Sequence, residues 1–287
     1  MQQYRRGELR FDVVDTGPAD GPVVVLLHGF PQFNTVWEPV TRALSERGFR
    51  CLAPNQRGYS AGARPRGRRA YRLTELVADV VALIDASGAP RVHLVGHDWG
   101  AIVAWHVAQA VPDRLSSLST LSVPHPAAFV WALITSRQAL LSWYVAFLQL
   151  PWLPERIMLP AGERGIARLT RSLIRSGQPN GTATRDARAM AQSGALTPAM
   201  NWYRALPFQR VRGVRARIEV PTMFLYSDGD VSIAAKGAHE TARHVAGPYR
   251  FESLAGLSHW MIDEDPSAVA SRLTDWIATC EQRRSSG

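Results

Sequence analysis

Lysine is almost missing from this chain: of its 33 basic residues nearly all are arginine, and Lys236 stands alone. Cysteine is as scarce, with only Cys51 and Cys280, far apart and in no CxxC or metal-ligand spacing. That excludes a disulfide framework and makes reduced thiols in the cytoplasm the expectation. Met1 to Leu9 is polar and has no apolar stretch of the kind a secretory signal carries. The most apolar region, Ala127 to Leu153, is broken by Ser136-Arg137-Gln138 and by Pro151. No membrane span of ~20 residues is therefore expected, which leaves a peripheral membrane contact of that region open. The net charge is +9, yet the arginine clusters (Arg64, Arg66, Arg68, Arg69 and Arg72, then Arg204 to Arg217) lack interleaved aromatics or a nucleic-acid motif. They read as solvated surface, with no nucleic-acid partner.

What remains is the composition of a globular protein. At 287 residues, 46% hydrophobic and 20% charged, the chain holds one large domain or one domain with an insertion. No internal repeat is visible.

One stretch organises the rest. Val92 to Val95 reads as strand, Gly96-His97-Asp98-Trp99-Gly100 as a tight turn, and Ala101 to Val111 as the helix that follows. A Gly-x-nucleophile-x-Gly turn lifts one side chain above a sheet. Here the apex is Asp98, so no hydroxyl is available and a serine esterase is disfavoured. A carboxylate there can attack carbon and form an alkyl ester that water must then hydrolyse. The competing reading is an ordinary loop whose aspartate caps the next helix.

Leu9–Val14, Val23–Leu27, Phe49–Ala53, Leu115–Val123, Val220–Tyr226 and Tyr249–Leu254 carry strand patterns. Thr35–Arg47, a helix capped by Thr74 and stopped by Gly88, and Ser267–Cys280 carry helical ones. The alternation predicts a mostly parallel, doubly wound α/β sheet with its chemistry at the carboxyl ends of the strands. Strand signals vanish from Pro124 to about Arg215, where helical patterns with Pro and Gly breaks predict an inserted cap. The expected organisation is a core of residues 1–123 and 216–287 around a cap of 124–215.

His28-Gly29-Phe30-Pro31, Gly96-His97-Asp98-Trp99-Gly100, an aspartate after a late strand and Ser258-His259-Trp260 resemble, in order and spacing, the α/β-hydrolase fold epoxide hydrolases. The resemblance covers essentially the whole chain. It implies Asp98 as nucleophile, His259 as base and an aspartate that orients it. Asp228 and Asp230 both follow the strand; Asp230, directly before Val231, fits the family position. The strand after the nucleophile helix ends in Ser122-Val123-Pro124 and offers no carboxylate instead. His28 and His97 flank the motifs as neighbours that shape the site.

The resemblance further implies two lid tyrosines that protonate the epoxide oxygen. Tyr144, in Trp143-Tyr144-Val145-Ala146-Phe147-Leu148-Gln149, and Tyr203, in Asn201-Trp202-Tyr203-Arg204, fall in such segments. Leu148 departs from the phenylalanine common in the family, and Asn55 from the aspartate that usually opens Asn55-Gln56-Arg57-Gly58-Tyr59-Ser60. The backbone N–H groups of Phe30 and Trp99 are the implied oxyanion donors. Neither half-reaction calls for a metal or organic cofactor, and an apolar epoxide and water are the expected partners. A haloalkane or haloacid dehalogenase shares the aspartate nucleophile. Phe30, which has no side-chain donor, weakens the haloalkane reading. Trp99 and Ile102, standing where fluoroacetate-type enzymes place arginines, argue against an anionic substrate. A non-catalytic protein of the same fold, holding an apolar ligand under its lid, is the alternative from another class.

Overall fold

Eight strands form one sheet: β1 (Gln3–Arg6), β2 (Leu9–Thr16), β3 (Val23–Leu27), β4 (Arg50–Pro54), β5 (Val92–His97), β6 (Leu115–Leu121), β7 (Thr222–Ser227) and β8 (Tyr249–Leu254). The computed structural model describes residues 1–209 and 216–285. The expected cap boundary at residue 215 lies outside them, as do Arg210, Arg212 and Arg215 of the second basic cluster. The strand order is β1-β2-β4-β3-β5-β6-β7-β8. β1 and β2 pair antiparallel at one edge, and β4 through β8 run parallel.

β3, β5 and β7 are buried along their whole length, and for β3 this is why the strand reads as an unbroken apolar run rather than an alternating one. Along β3 the side chains still alternate between two cores. Val24 and Leu26 pack with α1 (Glu38–Glu46) and α13 (Pro266–Ser285), while Val25 and Leu27 pack with α2 (Leu73–Ser87) and α3 (Trp99–Ala110). β1 escapes the sequence reading because only Tyr4 of its four residues is buried.

Among the described residues seven α-helices lie between β6 and β7: α4 (Pro126–Thr135), α5 (Gln138–Leu141), α6 (Trp143–Leu148), α7 (Leu153–Met158), α8 (Glu163–Arg175), α9 (Asn180–Ser193) and α10 (Leu196–Arg204). Two short helices, α11 (Ala235–Glu240) and α12 (Met261–Glu264), flank β8. Among the described residues no helix is long and apolar enough to cross a membrane.

Three expectations are corrected by packing. Thr74 does not cap α2: the helix starts at Leu73, and the Leu73 N–H donates to the Gln209 side chain at 2.9 Å, from the far end of the helical insertion. The strand expected from Val220 starts at Thr222, with Ile218 making only an isolated bridge to Val245. Finally, Arg64, half-buried, and Arg204, buried, are not free surface charges. Arg64 donates to the carbonyls of Gly58, Tyr59 and Ser193, and buried Arg204 pairs with Glu155 at 2.7 Å while donating to the carbonyls of Leu148 and Leu150. Arginine's planar fork satisfies several acceptors at once, so these two pin the insertion where a cluster of charge in the sequence looks like surface.

Candidate active site

Asp98 stands at the end of β5 with φ 52° and ψ −118°, a conformation an L-residue adopts only when its surroundings force it. The glycines supply that force. A Cβ on Gly96 would run into the backbone of Gly100, and one on Gly100 into the carbonyls of Leu27 and His28. The bend can therefore be tight enough to aim the carboxylate out of the sheet. Although Asp98 occupies the N-cap position of α3, its side chain makes no cap hydrogen bond. Instead Oδ1 accepts from the Phe30 N–H at 2.8 Å, and Oδ2 lies 3.6 Å from Nε2 of His259.

Asp230 takes the other side of the same ring: His259 Nδ1 donates to its Oδ2 at 2.9 Å. Its Oδ1 accepts from the N–H groups of Ser232 and Ile233 at 2.7 and 3.0 Å, so the carboxylate is held at both oxygens. Asp228 faces away and accepts from the Gly256 N–H at 2.7 Å. The carbonyl of His259 is gripped by His97 Nε2 at 2.9 Å and by the Ser122 hydroxyl at 3.4 Å. Glu264 holds the preceding Ser258 through its N–H and hydroxyl.

The electrostatics follow from burial. Burial alone lowers the His259 pKa, but Asp230 first and Asp98 second outweigh it and raise it to about 10. Burial tends to raise the Asp98 pKa; the His259 hydrogen bond and charge and the Phe30 N–H reverse this and leave it below its ordinary value. At neutral pH the pair is therefore carboxylate and imidazolium. His28 is neutral, its pKa lowered to about 4 by burial. Its Nε2 accepts from the Gln56 N–H at 3.1 Å, so the proton sits on Nδ1 and is donated to the Gly29 carbonyl at 3.0 Å. In this way the Phe30 loop is locked to the loop holding Arg57. Asn55 serves that junction too, accepting from the Asn34 N–H at 3.0 Å.

Above Asp98 a cavity of about 560 Å³ is lined by Phe30, Asp98, Tyr144, Tyr203 and His259, with Trp143, Phe147, Met158 and Leu173 on its apolar side. Tyr203 packs edge-on against Trp99 and Phe30, with centroids 4.9 and 5.4 Å away, and the two tyrosine rings lie 6.1 Å apart. Burial, then the Asp98 charge, pushes both phenol pKa values up, so both keep their protons. Trp99 opens α3, where a backbone N–H has no acceptor within the helix.

Sequence reasoning missed a buried cluster that joins these loops. Asp263, four residues after His259, accepts from Gln32 at 2.7 Å and from Gln178 at 3.0 Å. Arg185 bridges Asp263 at 3.2 Å and Asp186 at 2.8 Å. Burial and the Asp186 charge raise the Asp263 pKa to about 6. Nothing in the spacing of these five residues marks them as neighbours; only the buried positions of Gln178 and Asp186 in an otherwise amphipathic insertion hint at it.

A family model described as alpha/beta hydrolase fold matches residues 22–266. The AB hydrolase superfamily protein YfhM of Bacillus subtilis is 34% identical over 92% of this chain and 93% of that protein. Epoxide hydrolase 4 of Homo sapiens is 31% identical over 96% of this chain and 77% of that protein. The crystal structure of epoxide hydrolase A from Mycobacterium thermoresistibile superposes with a TM-score of 0.79 at 26% identity, covering 96% of this chain and 97% of that one. With the carboxylate-bearing turn and its histidine in place, the chain belongs to the α/β-hydrolase fold family, among the relatives of the epoxide hydrolases.

Proposed function

We propose that this chain hydrolyses an apolar epoxide to a vicinal diol, the activity named in its relatives, through a covalent ester on Asp98. The observation that carries the reading is the placement of two protonated phenols, Tyr144 and Tyr203, in the same cavity as the Asp98 carboxylate and His259. An epoxide oxygen leaves as an alkoxide and needs a proton donor; a halide does not.

Oδ2 of Asp98 is the attacking atom, because Oδ1 already accepts the Phe30 N–H. It forms a bond to one ring carbon as the carbon–oxygen bond opens, and a tyrosine gives its proton to the leaving oxygen. Such general acid help is worth ~10²–10⁴ in rate. Esterification removes the Asp98 charge, one of the two that hold the proton on His259, so the imidazolium gives that proton back to the tyrosinate and becomes a competent base. Neutral His259, steered by Asp230 in an Asp-His-Asp triad, takes a proton from water as that water attacks Cγ of Asp98. The oxyanion grows on Oδ1, opposite the N–H groups of Phe30 and Trp99; losing one such donor costs roughly 3 kcal/mol. Collapse passes the new carboxyl proton to the departing alkoxide, releasing the diol and the Asp98 carboxylate, and the proton taken from water leaves His259 as the imidazolium it was at the start.

Residues 124–215 act as the lid that carries the tyrosines, and residues 1–123 and 216–287 as the core. Two buried free thiols, Cys51 and Cys280, support a cytoplasmic location. Single turnover of styrene oxide in heavy-oxygen water tests the chemistry: the label is expected in Asp98 before the diol, and direct entry into the diol would refute the covalent route.

A further inference from the structure

The lid surface is unlike the rest of the molecule. Ile134, Leu140, Trp143 and Trp152 are 74, 76, 67 and 60% exposed, and Val130 and Trp131 lie beside Ile134 on α4. Exposed apolar side chains concentrated in this way mark a contact surface. Three of them are tryptophans, the residue suited to a boundary between water and hydrocarbon.

The charge of the lid is equally lopsided. Residues 126–209 hold nine arginines against three carboxylates, and so carry six of the nine net positive charges of the chain. All three carboxylates are taken: Glu155 by Arg204, Glu163 by Arg188 and Asp186 by Arg185. The other six, Arg137, Arg156, Arg164, Arg168, Arg171 and Arg175, are all exposed and have no carboxylate partner among the described residues. Four of them recur at the spacing of one face of α8, whose opposite face buries Leu169 and Leu173. Three cations lie among the apolar groups themselves. Arg156 lies 4.9 Å over the Trp152 ring and Lys236 5.9 Å over that of Trp131, and Arg137 falls between Ile134 and Leu140 in sequence.

We infer that this face of the lid docks on an anionic lipid bilayer, with its tryptophans and aliphatic side chains at the headgroup level and its unpaired arginines on lipid phosphates. Charge complementarity selects this occupant. A second copy would bring the same arginine-rich face against itself across a two-fold axis, setting six unpaired cations against six. An anionic surface pairs with them, at about 1 kcal/mol per basic residue held near it. Docking also has a use, because Trp143 is both exposed on this face and part of the cavity wall. An apolar substrate dissolved in the bilayer thus meets the cavity without crossing water. The inference stands on the lid surface and holds whatever reaction occurs at Asp98.

Co-sedimentation of the full chain with vesicles of phosphatidylcholine alone, or with added phosphatidylglycerol, tests it. The protein is expected to pellet with the anionic vesicles only and to be released by salt, with a blue shift of tryptophan emission on binding. Arg168→Gln and Arg171→Gln should each lower partitioning roughly fivefold. Ile134→Ser with Leu140→Ser should lower it at least as much, all with wild-type melting temperatures. Failure to pellet with anionic vesicles, or equal pelleting of wild type and variants, would overturn the inference. So would a dimer that Ile134→Asp with Leu140→Asp splits, in a protein that ignores vesicles; that outcome assigns the face to a second copy.

Discussion

The Phe30 N–H points at Oδ1 of Asp98 from 2.8 Å, so the donor proposed to hold the oxyanion is already engaged with that oxygen. One oxygen of the carboxylate is thereby reserved and the other left to attack. In the proposed cycle the two half-reactions use different ends of one side chain, and the turn at Asp98 needs no rearrangement between them.

Removing either member of the covalent cycle separates its halves. Asp98→Ala should lower turnover by roughly 10⁴-fold or more. His259→Gln should still accept the alkyl group and stall as an ester, read as a mass increase equal to that of the substrate. Normal turnover in either variant would defeat the assignment.

In the proposed cycle the tyrosines act before the ester forms. Tyr144→Phe or Tyr203→Phe should slow ring opening by ~10²-fold or more, and the double variant should abolish it. Neither phenol is in a large polar network, so thermal unfolding should move little. An unchanged pre-steady-state alkylation rate in the double variant would remove both from the chemistry.

Stability should carry the signature of the buried imidazolium. The folded protein keeps the His259 proton up to about pH 10, against an ordinary value of 6.5. A raised folded pKa adds stability that is complete below about pH 6.5 and fades as pH rises toward 10. Denaturant titrations of wild type and His259→Gln should therefore differ most on the acid side of neutrality and converge in alkali. A gap that stays constant across that window would mean the proton is not held.

Gly29 faces the nucleophile so closely that a Cβ would lie 2.5 Å from both Cβ and Oδ1 of Asp98. Gly29→Ala should displace the carboxylate, cost roughly 1–3 kcal/mol of stability as overpacking does, and remove most activity. Full activity in that variant would mean the loop can yield without moving Asp98.

The buried pair of Arg57 and Asp79 locks the loop beneath the lid, with contacts of 2.6 and 2.7 Å, and Trp202 donates to the Arg57 carbonyl at 2.8 Å. Arg57→Ala leaves the buried Asp79 carboxylate with the Arg6 contact at 3.0 Å alone and should cost about 3 kcal/mol, visible as a lower denaturant midpoint.

The sequence by itself determined the parallel sheet, because strands buried on both faces must be apolar throughout, as in Val23–Leu27. It also determined the apex carboxylate, since only a turn built on Gly96 and Gly100 carries one so close to its backbone neighbours. Tertiary structure alone decided that Asp230 meets His259 while Asp228 binds the Gly256 N–H. The same holds for Gln209 at the start of α2, for Arg64 and buried Arg204 as clamps, and for Asp263 beside Asp186. Periodicity records which face of an element is buried, a property of neighbouring residues. Hydrogen-bond partners distant in the chain depend on where the backbone delivers each polar atom, and short-range pattern does not encode that.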